Sequence, residues 1–236
     1  TRWNCDWSSD VCSSDLGRFE VSRLESLMLE GPAGKLEALL EIPDGEPVRA
    51  CLVCHPHPLY GGTMHNKVVH RTARGLRRAG GAVLRFNFRG AGRSEGSYAQ
   101  GIGELEDARA ALGWLRERYP SLPYTLAGFS FGARIALALG CTEERPERVI
   151  ALGLPTHWPL PEGLPGCTVP KVFIQSTRDQ FGPKEELEAL FAQLPEPKRL
   201  IWIEAQDHFF AGALDRLEET IRGLDGETPA RYGTFA

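Results

Sequence analysis

Short apolar runs alternate along this chain with longer stretches that carry a helical repeat. Residues 25–30 and 35–42 are two short runs on either side of the turn Gly31-Pro-Ala-Gly34, which predicts a β-hairpin. Arg49-Ala-Cys-Leu-Val-Cys54 is a continuous apolar run, the mark of a strand buried on both faces, and residues 82–88 predict another. Further strands are expected at 124–127, 148–153, 171–176 and 199–205. Helices are expected at 66–79, closed by Gly80-Gly81, then at 101–118, after Ser130, at 184–194 and at 211–224. In the second of these, Ile102, Leu105, Ala108, Leu112 and Leu115 form one inward stripe. Strands and helices in this alternation define an α/β fold, a mostly parallel twisted sheet with helices on both faces, opened by the antiparallel hairpin.

The regular pattern starts at Phe19, and a single α/β domain is expected over residues 19–224. Residues 1–18 have neither period, and lack the basic start and apolar centre of a signal peptide. They read as translated adapter sequence, a non-native or disordered leader from which no fold is expected. Residues 225–236 are polar and are expected to form a loose tail.

Composition narrows the function. A formal charge of −4 offers no basic face to nucleic acid. No apolar run reaches the length of a membrane span. The six cysteines show no framework spacing, so reduced thiols in a cytoplasmic protein are expected. Cys51 and Cys54, three apart on a strand, face opposite sides of the sheet and cannot share a metal with His55 and His57.

The chemistry centres on Gly128-Phe-Ser-Phe-Gly132, a G-x-S-x-G match between an apolar strand and an Ala/Leu-rich helix. A serine thrown out at so tight a turn needs tiny neighbours, and Gly128 and Gly132 supply them. Its hydroxyl needs a base, and the base needs an orienting acid. In a parallel sheet such groups gather just past the carboxyl ends of strands. His208 lies there after strand 199–205, and Asp179 after strand 171–176. Ser130, Asp179 and His208 also stand in the chain order of one hydrolase scaffold. Asp207 and Glu204 are weaker acids for the role, the first because it adjoins the histidine, the second because it sits on the strand. His55 and His57 precede the serine, His157 lies in a Pro-rich loop, and His65 and His70 are expected at packing or surface positions. An oxyanion hole takes two N–H donors. The first expected donor is the amide of Phe131. In His55-Pro-His-Pro-Leu-Tyr-Gly-Gly-Thr-Met64 the prolines have none, which leaves His57 as the second, with Leu59 in reserve. Gly90-Ala-Gly-Arg-Ser-Glu-Gly96 is no phosphate loop and is expected to be a tight turn.

Together these motifs resemble the α/β-hydrolase superfamily. More narrowly, residues 55–64 with Leu84-Arg-Phe-Asn-Phe-Arg-Gly-Ala-Gly-Arg-Ser-Glu-Gly96 are similar to small uncharacterised serine hydrolases of dienelactone hydrolase or esterase type. The resemblance covers about residues 20–223. It implies a Ser130/Asp179/His208 triad, with His55-Pro-His57-Pro in the place of an oxyanion loop. Asn87 departs from an Asp common in such proteins, and Ala205-Gln206 from a glycine. Where relatives with bulky substrates carry a helical cap, only residues 155–169 are present, so no large cap domain is expected. The implied activity is hydrolysis of carboxylic esters or thioesters of small or flexible acyl groups through an acyl-enzyme, without metal or cofactor. The expected partner is a small-molecule acyl ester; neither nucleic acid nor membrane is expected, and a homo-oligomer stays open. The alternatives are a peptidase or amidase of the same fold and a catalytically silent binding protein.

Overall fold

The computed structural model describes residues 23–142 and 145–224. The expectations for 1–18 and for the tail from 225 lie outside the described residues. Eight strands form one sheet: β1 (Arg23–Gly31), β2 (Gly34–Ile42), β3 (Arg49–Cys54), β4 (Gly81–Phe86), β5 (Tyr124–Phe129), β6 (Arg148–Leu152), β7 (Lys171–Ser176) and β8 (Lys198–Ile203). Their order is β1-β2-β4-β3-β5-β6-β7-β8. The hairpin β1–β2 joins β4 antiparallel, and every pairing from β4 to β8 is parallel. The helices are α1 (Lys67–Arg78), α2 (Ile102–Arg118), α3 (Phe131–Gly140), α4 (Lys184–Gln193) and α5 (Leu214–Gly223).

Alternate residues of each central strand feed two cores. Leu52, Leu84, Leu126 and Phe173 pack with Ala108, Leu112 and Leu115 of α2 and with Leu137 of α3. Val53, Val83, Ala127 and Ile174 face the other way, toward Val69 and Leu76 of α1 and Leu217 and Ile221 of α5. Cys54 belongs to the first core and Cys51 to the second, as their spacing predicts. Neither forms a disulfide. Burial pushes the Cys54 thiol far above its ordinary range, which makes it no thiolate nucleophile.

Three expectations need correction. Ile102 is 78% exposed, so it does not belong to the inward stripe. In its place α2 buries Glu104, whose carboxylate accepts the Gly101 and Ala99 N–H groups, and Asp107, which grips Arg89. The last helix starts at Leu214 instead of 211, because Phe210 (φ 56°) and Gly212 (φ 80°) hold left-handed conformations that no helix contains. Finally, the thiols are not all reduced. Cys141, which caps α3, is bridged to Cys167 at the end of the Pro-rich loop. The two cysteines lie 26 residues apart on separate elements, and only the packing of that loop on α3 brings them together.

Candidate active site

The parallel register sets the carboxyl ends of five strands, β3, β5, β6, β7 and β8, side by side. Cys54 pairs with Gly128, Phe129 with Leu152, Leu152 with Ile174, and Ser176 with Ile203. Whatever follows these residues emerges along one edge: the His55–Met64 loop, Ser130, Gly153, Asp179 and His208.

Ser130 stands between β5 and α3 at φ 57°, ψ −117°, a strained backbone for a residue with a Cβ. Its N–H is held by the Leu152 carbonyl at 2.9 Å, and its own carbonyl accepts Ala133 N–H at 3.0 Å. The turn closes only because its flanks are bare. A Cβ on Gly132 would fall 2.3 Å from the Cys54 carbonyl oxygen. Phe131 is the first residue of α3, so its N–H has no intrahelical acceptor and lies at the positive end of the helix.

Asp179 and His208 are 4% and 2% exposed, and His208 Nδ1 lies 2.7 Å from Asp179 Oδ2. Asp179 Oδ1 also accepts N–H groups from Phe181 (2.8 Å) and Gly182 (3.2 Å), and Oδ2 accepts Gln175 Nε2 (2.9 Å). A carboxylate has four lone-pair sites, and here four donors take them. The Nδ1–H proton is thereby fixed toward the acid, which leaves the lone pair on Nε2. The imidazole is packed by Phe129 (centroids 4.8 Å), Phe181 (4.8 Å) and Phe209 (5.3 Å). Its Cε1 would lie 3.0 Å from a Cβ on Gly153, the neighbour of the Leu152 that holds Ser130. Among the described residues, neither Ser130 Oγ nor His208 Nε2 has a hydrogen-bond partner; catalytic hydrogen bonds commonly tighten only when substrate is present.

Gln175 also belongs to this cluster, although no motif in the sequence marks it. Its Oε1 accepts Leu154 N–H (2.9 Å) while its Nε2 reaches Asp179, so it ties the acid to the β6 loop. The signal for it was a lone amide in an apolar strand that proves buried throughout. Asp207 is occupied locally, since its Oδ1 accepts the Phe209 and Ala211 N–H groups.

On the other side of Ser130 is the His55 loop. His55 is fully buried; its Nε2 accepts Phe88 N–H (3.0 Å), so Nδ1 carries the proton and donates to the Pro56 carbonyl (2.6 Å). Burial lowers its pKa to about 4, and the ring is neutral. Because carbonyl and N–H of one trans peptide point oppositely, anchoring the Pro56 carbonyl also aims the His57 N–H. That N–H has no acceptor among the described residues, whereas Leu59 N–H is taken by His57 Nδ1 (3.3 Å). Asn87 braces the loop from below, accepting Met64 N–H (2.7 Å) and donating to Glu37 (2.8 Å). His65 and His70 are exposed. His157, near the rim, has Nδ1 3.4 Å from the Phe181 carbonyl.

A cavity of about 350 Å³ opens beside His57 and Phe131 and continues between Tyr98, Ile135 and Trp158. A larger hollow, about 790 Å³, lies at the amino ends of the strands between Tyr119, Tyr124 and Pro146. No serine, cysteine or histidine lines that one, whereas the smaller cavity adjoins the Ser130 turn through Phe131 and the His55 loop through His57. No group of three or more His, Cys, Asp or Glu among the described residues is placed to hold a metal. No helix among them is long and apolar enough to cross a membrane.

Sheet order and elbow define the α/β-hydrolase fold, and among the described residues no helical cap domain is inserted between the strands. Residues 60–220 match the model of an alpha/beta hydrolase domain, and the chain belongs to that family. An alpha-beta serine hydrolase homologue from Coxiella burnetii superposes with a TM-score of 0.78 at 36% identity, over 84% of this chain and 95% of that one. A Xanthomonas campestris member of the α/β serine hydrolases, itself without a lid, gives 0.77 at 32% identity, over 89% and 95%. An uncharacterized protein of Rickettsia prowazekii is 33% identical over 84% of this chain and 87% of its own length.

Proposed function

We propose that the chain is a serine hydrolase that cleaves carboxylic esters or thioesters of small or flexible acyl groups through an acyl-enzyme. The observation that carries this reading is the buried 2.7 Å contact between His208 Nδ1 and Asp179 Oδ2, on the strand edge where Ser130 is held in its strained turn. In the reading, Ser130 Oγ attacks the acyl carbon and its proton passes to His208 Nε2. Asp179 steadies the imidazolium through Nδ1–H. The N–H groups of Phe131 and His57 receive the negative oxygen, each worth roughly 3 kcal/mol at the transition state. Collapse expels the alcohol or thiol, which takes the proton from His208. Water, deprotonated by the same imidazole, then releases the acid and restores Ser130.

The test is turnover of short-chain p-nitrophenyl esters together with fluorophosphonate labelling. Both should be present in the wild type and absent in Ser130→Ala. Ester cleavage that survives in Ser130→Ala at the wild-type rate would falsify the choice of nucleophile. Absence of labelling in a folded wild-type protein favours a silent binding protein.

A further inference from the structure

The cavity beside the oxyanion donors has a chemical polarity of its own. Its floor is one face of α3: Phe131, Arg134, Ile135 and Ala138 recur at helical spacing and all line it. The seven helical steps from Phe131 to Ala138 give that floor a length of about 10 Å. The cavity opens at Phe131 and His57, the two proposed oxyanion donors, and neither Ser130 nor His208 lines it; the imidazole is enclosed elsewhere, by Phe129, Phe181 and Phe209. A leaving group must face the base that protonates it. The arm that enters the α3 cavity is therefore the acyl group.

Within apolar walls the polar side chains are His57, Tyr98, Gln100 and Arg134, of which only Arg134 carries a permanent charge. Arg134 is half-buried, and among the described residues no carboxylate pairs with it. One of its N–H groups goes to the Pro159 carbonyl, and its guanidinium lies 5.4 Å from the Trp158 ring centroid. A guanidinium has five N–H donors, so most remain for a ligand. Tyr98 supplies another. His57 Nδ1 accepts Leu59 N–H, so the neutral ring donates from Nε2 to Tyr98 Oη (3.1 Å), which leaves the Tyr98 hydroxyl proton free. No Asp or Glu lines the cavity. The nearby Glu104 carboxylate is buried and held by the Ala99 and Gly101 N–H groups. Burial without a counter-charge lowers the Arg134 pKa, a penalty that an incoming anion offsets.

Building on the proposed esterase reaction, we infer that the acyl group this site prefers carries its own carboxylate, as in a monoester of a dicarboxylic acid, with Arg134 as the receiving cation. The apolar stripe of α3 takes the methylene chain, and the guanidinium takes the terminal anion.

The experiment compares p-nitrophenyl hydrogen adipate with its methyl-capped ester, a chain long enough to resist self-cleavage through a cyclic anhydride. The wild type should hydrolyse the anionic ester with kcat/KM at least about tenfold above the capped one, the worth of a charge-assisted hydrogen bond. Arg134→Gln should bring the ratio to one or below, and Arg134→Lys should keep most of it. If Arg134 only pins the Pro-rich loop through Pro159, both substrates fall together in Arg134→Gln and the ratio is unchanged, which overturns the inference. Wild-type preference for the capped ester, or parity, also overturns it. Failure to turn over either ester while fluorophosphonate labels Ser130 defeats this inference alone; failure of labelling as well defeats the esterase reading on which it rests.

Discussion

A Cβ on Gly128 would lie 2.0 Å from the carbonyl oxygen of Gly132, so the strand entering the Ser130 turn and the helix leaving it touch backbone to backbone. No side chain fits there, and neither backbone can retreat without moving β5 or α3. Gly128→Ala should therefore cost about 3 kcal/mol or more in urea unfolding, the upper range for forcing atoms into a packed core. A loss within about 0.5 kcal/mol, the level of a neutral surface substitution, would show that the turn has slack it does not display.

His57 offers a way to delete one backbone N–H without disturbing the chain. Its φ of −55° and ψ of 121° suit proline, and they also suit a residue that precedes Pro58. His57→Pro removes the N–H, while His57→Ala removes the ring but keeps it. We expect kcat for the proline variant to fall roughly 10²-fold or more below that of the alanine variant, the cost of one oxyanion donor. Matching kcat values in two folded variants would assign the second donor elsewhere.

Asp179 takes four donors, and Asn cannot accept all of them. Asp179→Asn should lower kcat/KM by roughly 10⁴, because the imidazole loses the partner that fixes its proton on Nδ1. The sharper check is non-additivity. Residues that act as one unit lose their effect once, so Ser130→Ala/Asp179→Asn should be about as slow as the worse single variant. Rates that multiply would mean that Asp179 acts independently of the serine.

What the chain betrays before folding is whatever has a local cause. Gly128 and Gly132 are required by one turn, and the ends of β7 and β8 point to Asp179 and His208 because a parallel sheet sends its active groups there. Gln175 escapes such a reading, since its value lies in bridging Asp179 to Leu154 across two strands. The Cys141–Cys167 bridge escapes it for the same reason. Ile102 misleads in the opposite direction: the helical repeat puts it on the inner face, yet α2 starts at the cavity rim, where Ile102 is a wall and not core.

His55 couples stability to pH. Unfolded, its imidazole titrates near its ordinary value of 6.5; folded, burial lowers it to about 4. Between those values the unfolded chain binds the proton and the folded chain refuses it, so stability is complete above pH 6.5 and is lost as pH falls toward 4. The full window is worth about 3 kcal/mol. Protonation also destroys the acceptor for Phe88 N–H, releasing the loop that presents His57. Other groups titrate in the same range, so the measurement is a difference: urea unfolding of wild type and His55→Gln at pH 7 and pH 4.5. The wild type should lose about 2 kcal/mol more than the variant between the two conditions. If both lose the same amount, the buried ring admits its proton without cost, and the neutral His55 that aims the Pro56–His57 peptide is not what this site contains.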